Sequence, residues 1–307
     1  MSDKIYDVII IGAGTAGMTA AIYARRASKT ALMIEAKTYG GQIINTPAID
    51  NYPAEPGISG YDFAVKIFEQ AKALGADIVY EKAVGIEDGT IKKVKTEKGE
   101  YEGKAVIIAC GSENRKLGVE YEDMLIGRGV SYCATCDGMF FRNKKVAVVG
   151  GGNTALEDAL YLAGVAETVY LIHRRDKFRG DDLTASLLSK RGNVKFVLNS
   201  RVTKLIADKR LTAVEVTDNK GNTTELEVSG LFVAVGRVPE NQPFSDLIEL
   251  DEAGYAVSGE NCRTKTPGVF VAGDNRTKEV RQLVTAASDG AAAATEAVKY
   301  INAREDI

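Results

Sequence analysis

The stretch YDVIIIGAGTAG, Tyr6 to Gly17, decides the fold. Tyr6 to Ile11 is a short β-branched apolar run, as expected of a strand buried on both faces in a parallel sheet. Gly12-Ala13-Gly14-Thr15-Ala16-Gly17 follows as G-x-G-x-x-G. The pattern then predicts a helix over Met18 to Ala27 and a second strand from Thr30 to Ile34, ending at Glu35. Glycines at these places permit a tight turn and close backbone approach, so a pyrophosphate can rest on the helix N-terminus. Glu35 stands 23 positions after Gly12, where an acid can bond a ribose hydroxyl. The glycine motif alone is a weak signal; strand, helix and acid in this order make it strong.

The pattern returns at KVAVVGGGNTA, Lys145 to Ala155. Val146 to Val149 reads as a strand and Gly150-Gly151-Gly152-Asn153-Thr154-Ala155 as G-x-G-x-x-A. Ala155 to Ala163 reads as a helix and Thr168 to Ile172 as the next strand. Each half continues into a β-meander, with turns around Asp88-Gly89 and Lys98-Gly99 in the first and around Asp208-Lys209 and Lys220-Gly221 in the second. Each meander leads into an apolar strand ending in glycine, at Gly111 and Gly236. The sequence therefore predicts an α/β protein with two Rossmann-like dinucleotide-binding domains.

The two copies differ where it is informative. The same count of 23 from Gly150 reaches His173, followed by Arg174, Arg175 and Arg179. Guanidinium forks match a 2′-phosphate that an acid would repel, so the second site is expected to prefer NADPH. His173 is the only histidine, and no histidine-based acid–base catalysis is assigned to it. The first site, with Glu35, suits NAD or FAD by its motif. Val269 to Asp274 is another apolar strand ending in Gly273-Asp274, and a small-residue helix follows from Leu283 to Tyr300. Its N-terminus can face the anionic edge of a flavin. Two dinucleotide folds with one redox pair call for a flavin between them.

That pair is Cys133-Ala134-Thr135-Cys136, with Asp137 directly after it. It can hold a metal, staple a loop or carry electrons. A zinc site needs four ligands, and the remaining candidates (Cys110, Cys262 and His173) are scattered with no second Cys-x-x-Cys. A structural disulfide suits an oxidising compartment. A flavin-dependent NADPH oxidase or a ferredoxin–NADP reductase needs no cysteine pair, and a nucleotide-sensing module leaves it unexplained. The 307 residues, with 39 basic and 42 acidic side chains, carry net charge −3, which argues against nucleic acid as the main partner. No apolar run approaches the roughly 18 residues a membrane helix needs. The first residues run into a glycine motif instead of a cleavage site. The expectation is a soluble cytoplasmic protein.

The run from Gly127 to Arg179, with CATCD, GGGNTA and HRRDKFR, closely resembles the NADPH domain of low-molecular-weight thioredoxin reductases. Gly40-Gly41-Gln42 and Asn51-Tyr52-Pro53 resemble that family's flavin-side loop, and Arg281-Gln282 its second flavin contact. Thr15 stands where many members have proline, and Cys110 where threonine is common. The resemblance implies a nested layout. An FAD domain would comprise residues 1–112 and 242–307, with an NADPH domain, 115–240, inserted into it. FAD would lie against Gly12, Gly14, Thr15, Ala16, Gly17, Glu35, Gly40, Gly41, Gln42, Asn51, Gly273, Asp274, Arg281, Gln282 and Leu283. NADPH would lie against Gly150, Gly152, Asn153, Thr154, Ala155, His173, Arg174, Arg175 and Arg179.

The resemblance also implies the chemistry. NADPH reduces FAD, FAD reduces a Cys133–Cys136 disulfide, and the dithiol reduces thioredoxin or a thioredoxin-like protein. Cys136 would face the flavin, Cys133 would attack the partner's disulfide, and Asp137 would move the thiol proton. The pair and the nicotinamide site lie in one domain and must both reach one flavin in the other, so a rigid-body rotation is expected at connectors near Ser112–Lys116 and Pro239–Pro243. A homodimer is implied as well. A related reductase serving a peroxidase or a glutaredoxin-like partner is the nearest alternative; with no thioredoxin-like domain before the first strand, a fused peroxidase–reductase subunit is not expected.

Overall fold

The computed structural model describes residues 4–46 and 48–305. The chain begins with β1 (Ile5–Ile11), α1 (Thr15–Arg26), β2 (Ala31–Glu35), α2 (Gly60–Ala73) and β3 (Asp77–Tyr80). A meander of β4 (Ala83–Glu87), β5 (Lys92–Thr96) and β6 (Glu100–Ile108) leads to β7 (Ser112–Asn114). Then come β8 (Val130–Ser131), α3 (Ala134–Asp137), β9 (Lys145–Gly150), α4 (Asn153–Ala163), β10 (Thr168–Ile172), α5 (Asp182–Ser189) and β11 (Val194–Val197). A second meander, β12 (Ser200–Ala207), β13 (Leu211–Asp218) and β14 (Thr223–Glu227), leads to β15 (Gly230–Ala234) and β16 (Arg237–Pro239). The chain closes with β17 (Val269–Val271) and α6 (Leu283–Glu305).

Two compact units result. One combines the segment ending at Glu113 with the segment from Val238 onward; the other is Asn114–Arg237. In the first, the sheet order is β3-β2-β1-β6-β5-β4. Besides pairing with β1, the long β6 uses its other edge for two partners, running antiparallel to β5 from Glu100 to Gly103 and parallel to β17 from Val106 to Ile108. In the second, the order is β11-β10-β9-β15-β8, all parallel, with the meander as a separate antiparallel sheet. The parallel cores correspond strand for strand, β3-β2-β1-β6-β17 against β11-β10-β9-β15-β8.

The apolar runs produce these sheets because both of their faces are covered. Along β1, Val8 and Ile10 enter one core with Ala20, Ala24 and Ala294, while Ile9 and Ile11 enter the opposite core with Phe244, Ile248 and Val271. Alternation follows the two-residue period of a strand, and each fully buried isoleucine contributes roughly 1.5–3 kcal/mol. On the helical face, α1 and α6 pack through small residues. A Cβ added at Gly290 of α6 would lie 2.2 Å from the Ala16 carbonyl oxygen of α1. No helix of the described residues is long and apolar enough to cross a membrane.

Buried polar groups fix the segment between β17 and α6. Asp289 of α6 takes both arms of Arg276, Nη2 at 2.7 Å and Nε at 2.8 Å, the Lys278 ammonium at 2.9 Å and the Gly273 amide at 2.9 Å. Burial alone would raise the Asp289 carboxyl, but Arg276 and Lys278 hold it below the usual carboxylate range. Asn241 donates to the Asn275 and Gly254 carbonyls, and Asn275 donates to Asn241 Oδ1 and the Ile108 carbonyl. The returning chain is thereby tied to the end of β6.

Changing Asp289 to alanine strands two buried cations, so stability should fall by about 3–5 kcal/mol. Urea unfolding followed by circular dichroism measures it; an unchanged midpoint would show that the cations find other partners.

Candidate functional site

The two glycine loops have the same construction. Gly12 has φ +103°, and a Cβ there would lie 2.4 Å from the Ala109 carbonyl oxygen at the end of β6. At Gly150 the corresponding Cβ would lie 2.3 Å from the Ala234 carbonyl oxygen at the end of β15. The middle glycines, Gly14 and Gly152, instead face open space, with nothing within 4 Å of an added Cβ. They are the N-caps of α1 and α4, and neither helix has a side-chain cap or an acid in its first turn. By contrast α2 and α5 are capped by Ser59 and Asp181 and carry Asp62 and Asp182 in the first turn. First-turn amides without a side-chain acceptor, at the positive end of the dipole and beside open space, form an anion cradle.

Around the first loop the structure gathers most of the residues expected from sequence. Glu35 Oε2 accepts from the Ala13 amide at 2.8 Å and Oε1 from the Lys37 amide at 2.9 Å. The carboxylate is thus fixed beside the loop. Gly40 donates to the Ala13 carbonyl at 2.8 Å, and a Cβ on Gly41 would lie 3.4 Å from Gly14. Gln42, next in the chain, is exposed. Asn51 donates to the Gln282 side chain at 3.0 Å. Gly273, with φ +89°, lies under Ala16, and half-buried Asp274 follows it. The Arg281 guanidinium lies 4.2 Å from the Tyr255 ring centre, its Nε buried with no hydrogen-bond partner among the described residues. Thr15 and Ala16 open α1, Gly17 packs on the Gly12 carbonyl, and Leu283 opens α6.

Around the second loop, Arg174, Arg175 and Arg179 are exposed after β10, and the Arg179 amide donates to the Gly151 carbonyl at 2.6 Å. His173 is buried. Its imidazole fills the space a Cβ on Gly151 would need, and it stacks on Phe178. Burial pushes its proton affinity down, with the charges of Arg179, Arg174 and Arg175 acting the same way. A neutral ring behind the loop props it from beneath. Asn153 accepts from the Asp181 amide, Thr154 is exposed and Ala155 is buried against Gly150.

The redox segment lies in the same unit. Cys133 caps the short α3, and Cys133 and Cys136 form a disulfide with Cα atoms 5.3 Å apart. Burial raises the Asp137 carboxyl, opposed by a hydrogen bond from the Ser131 hydroxyl at 2.6 Å. Among the described residues no cluster of side chains could hold a metal ion.

The comparisons with known proteins agree with this geometry. Residues 6–291 match the pyridine nucleotide-disulphide oxidoreductase family. A thioredoxin reductase of Listeria innocua is 45% identical over 302 residues, covering 97% of this chain and 95% of that protein. This chain belongs to the thioredoxin reductases of the pyridine nucleotide-disulphide oxidoreductase family. Among solved structures, thioredoxin reductase from Streptococcus pyogenes is similar with a TM-score of 0.94 at 39% identity, covering 98% of this chain and all of that one. Thioredoxin reductase of Lactococcus lactis in an FR conformation has a TM-score of 0.67 at 41% identity, covering 97% and 99%.

The family's cofactors are FAD and NADPH, and the residues present fit them. The first cradle offers a fixed carboxylate for a ribose and the second an arginine cluster for a 2′-phosphate. Ser131 is a site residue that sequence reasoning missed. Its burial and its contact with Asp137 are set by the fold, and no spacing in the sequence marks them. Cys110, half-buried, and Cys262, buried, are free thiols. Burial pushes the Cys110 thiol to about 12 and the Cys262 thiol to about 11. N-ethylmaleimide at neutral pH should label no cysteine of the native oxidised protein, and only Cys133 and Cys136 after mild reduction. Peptide mass spectrometry reads the result; labelled Cys110 or Cys262 would contradict it.

Proposed function

We propose that the chain uses NADPH to reduce the disulfide of thioredoxin or a thioredoxin-like protein. The carrying observation is the Cys133–Cys136 disulfide within the unit that holds the arginine-bearing nucleotide loop. When bound, FAD would supply hydride acceptance from NADPH and two-electron reduction of that disulfide. Residues 1–112 and 242–307 hold FAD, and 115–240 hold NADPH and the redox pair. Glu35 orients a ribose, the α1 and α4 amides bind pyrophosphate, and Arg174, Arg175 and Arg179 select the 2′-phosphate. Arg281, Asn51 and Gln282 complete the flavin side.

In the reducing half, Cys133 gives its proton to Asp137 and attacks the partner's disulfide. One S–S bond forms, the partner's breaks, and its released thiolate takes that proton. Cys136 then loses its proton to Asp137 and attacks Cys133, and the partner's second sulfur leaves and is protonated in turn. Two electrons and two protons pass to the partner, and Asp137 ends as it began. Cys136 faces the flavin and Cys133 the partner. Both duties, and nicotinamide access, require a rotation at the two connectors. Its support is that the redox pair and the arginine-bearing nucleotide loop belong to one unit. The cytoplasm as setting and a homodimer as assembly follow from family membership.

Steady-state oxidation of NADPH and NADH with thioredoxin tests this reading. NADPH should be the far better donor. Replacing Arg174 and Arg175 by alanine should each raise the KM for NADPH by about tenfold or more and leave NADH almost unchanged. Equal use of NADH and NADPH would overturn the arginine assignment, and no turnover with any thioredoxin would overturn the function. A disulfide cross-link locking the two units should stop turnover with flavin still bound; continued turnover would rule out the rotation.

A further inference from the structure

We propose that Ser131 is a positioning residue for proton transfer at the Cys133–Cys136 pair, its single hydroxyl proton holding the Asp137 carboxylate in place as acceptor of the thiol proton. This rests on the reading of Asp137 given above.

Ser131 is 4% exposed and is fixed in β8 by pairing with Phe232 of β15. Its Oγ lies 2.6 Å from Asp137 Oδ2 and 3.3 Å from the Cys133 carbonyl oxygen, and accepts from the Cys133 amide at 3.1 Å. A hydroxyl has one proton to give. The shorter, charge-assisted contact to the carboxylate takes it, and the amide of Cys133 aligns the oxygen. One serine therefore fixes both the backbone of the first cysteine and the carboxylate after the second. Asp137 Oδ1 is buried with no hydrogen-bond partner among the described residues. With Oδ2 held, Oδ1 is the oxygen left to receive a proton.

Burial favours the protonated carboxyl and the serine hydroxyl favours the carboxylate. Tyr161 of α4 packs on the adjacent Gly138, yet neither it nor any charged side chain of the described residues shifts the carboxyl. The balance is thus between burial and one hydroxyl. When Oδ1 takes the Cys136 proton, the need for a donor at Oδ2 falls. The Ser131 hydroxyl can then turn toward the Cys133 carbonyl. It turns back when the partner's departing thiolate takes the proton from Asp137. In that step the Cys136 sulfur bonds to Cys133, the bond from Cys133 to the partner breaks, and no electrons beyond the two of the dithiol are needed.

The test uses flavin-bound full-length protein, its cysteine pair reduced by a small dithiol and desalted without oxygen. Its exchange with a chromogenic aromatic disulfide is followed by stopped flow across pH. Asp137→Asn defines the acid-side midpoint that belongs to Asp137, by removing it. Removing the hydroxyl raises the proton affinity of Asp137, so Ser131→Ala should move that midpoint up by about one pH unit. Ser131→Thr, which keeps a hydroxyl, should leave it in place. Ser131→Gly, which also lacks the hydroxyl, should shift it in the same direction as alanine. Added to Asp137→Asn, Ser131→Ala should have no further effect on the profile. A midpoint unmoved in both the alanine and glycine variants would overturn the inference. So would an equal shift in the Asp137→Asn background, which would mark a merely structural effect. An Asp137→Asn profile identical to wild type would overturn the role of Asp137 itself, a different failure from that of Ser131.

Discussion

The structure depends on one steric constraint, met twice. At Gly12 and at Gly150 the backbone passes so close to a neighbouring strand-end carbonyl that no Cβ fits, at 2.4 Å from Ala109 and 2.3 Å from Ala234. Contact at that range brings the first turn of the following helix down against the sheet end. At Gly14 and Gly152, the N-caps of those helices, an added Cβ would meet nothing within 4 Å. By contrast, α2 and α5 carry side-chain caps, Ser59 and Asp181. At α1 and α4 no side chain caps the helix, so the first-turn amides have no side-chain acceptor.

The remaining polar architecture serves these two cradles. Glu35 is held by loop amides, so its carboxylate does not collapse onto a lysine. Asp289 anchors Arg276, Lys278 and Gly273, fixing the segment that carries Asp274 and Arg281. In the second unit His173 stands as a neutral prop behind the loop, and the exposed arginines project after β10. The redox pair begins where β8 ends, on the far side of β15 from β9. Its chemistry is therefore built on a sheet edge, with Ser131 as the last sheet-held residue before the first cysteine.

Much of this was legible in the sequence because it is local. Strand runs, glycine spacings, the acid after β2 and the arginines after β10 each lie within one βαβ unit, where distance along the chain sets distance in space. The predicted strand Thr168–Ile172 coincides with β10. The helices begin earlier than the sequence pattern predicts. α1 begins at Thr15 and α4 at Asn153 because the last residues of each glycine motif already form the first turn. β3 and β11 escaped notice because they are four residues long and only half-buried, too short for a period to register. The Asp289 cluster and the Asn241–Asn275 pair were illegible for a different reason. They join residues 11 to 34 positions apart across loops with no repeating pattern. Ser131 was in plain view, but nothing in a six-residue spacing says that a strand serine and a helical aspartate meet.

The central claim is that the Cys133–Cys136 disulfide is an electron acceptor in series with the flavin and not a staple. Anaerobic titration of the flavin-bound protein with NADPH, followed in the visible spectrum, tests it most directly. The account predicts uptake of one electron pair by flavin and a further pair by the disulfide, with the Cys136→Ser variant taking up only the first. Equal uptake by both proteins would contradict it.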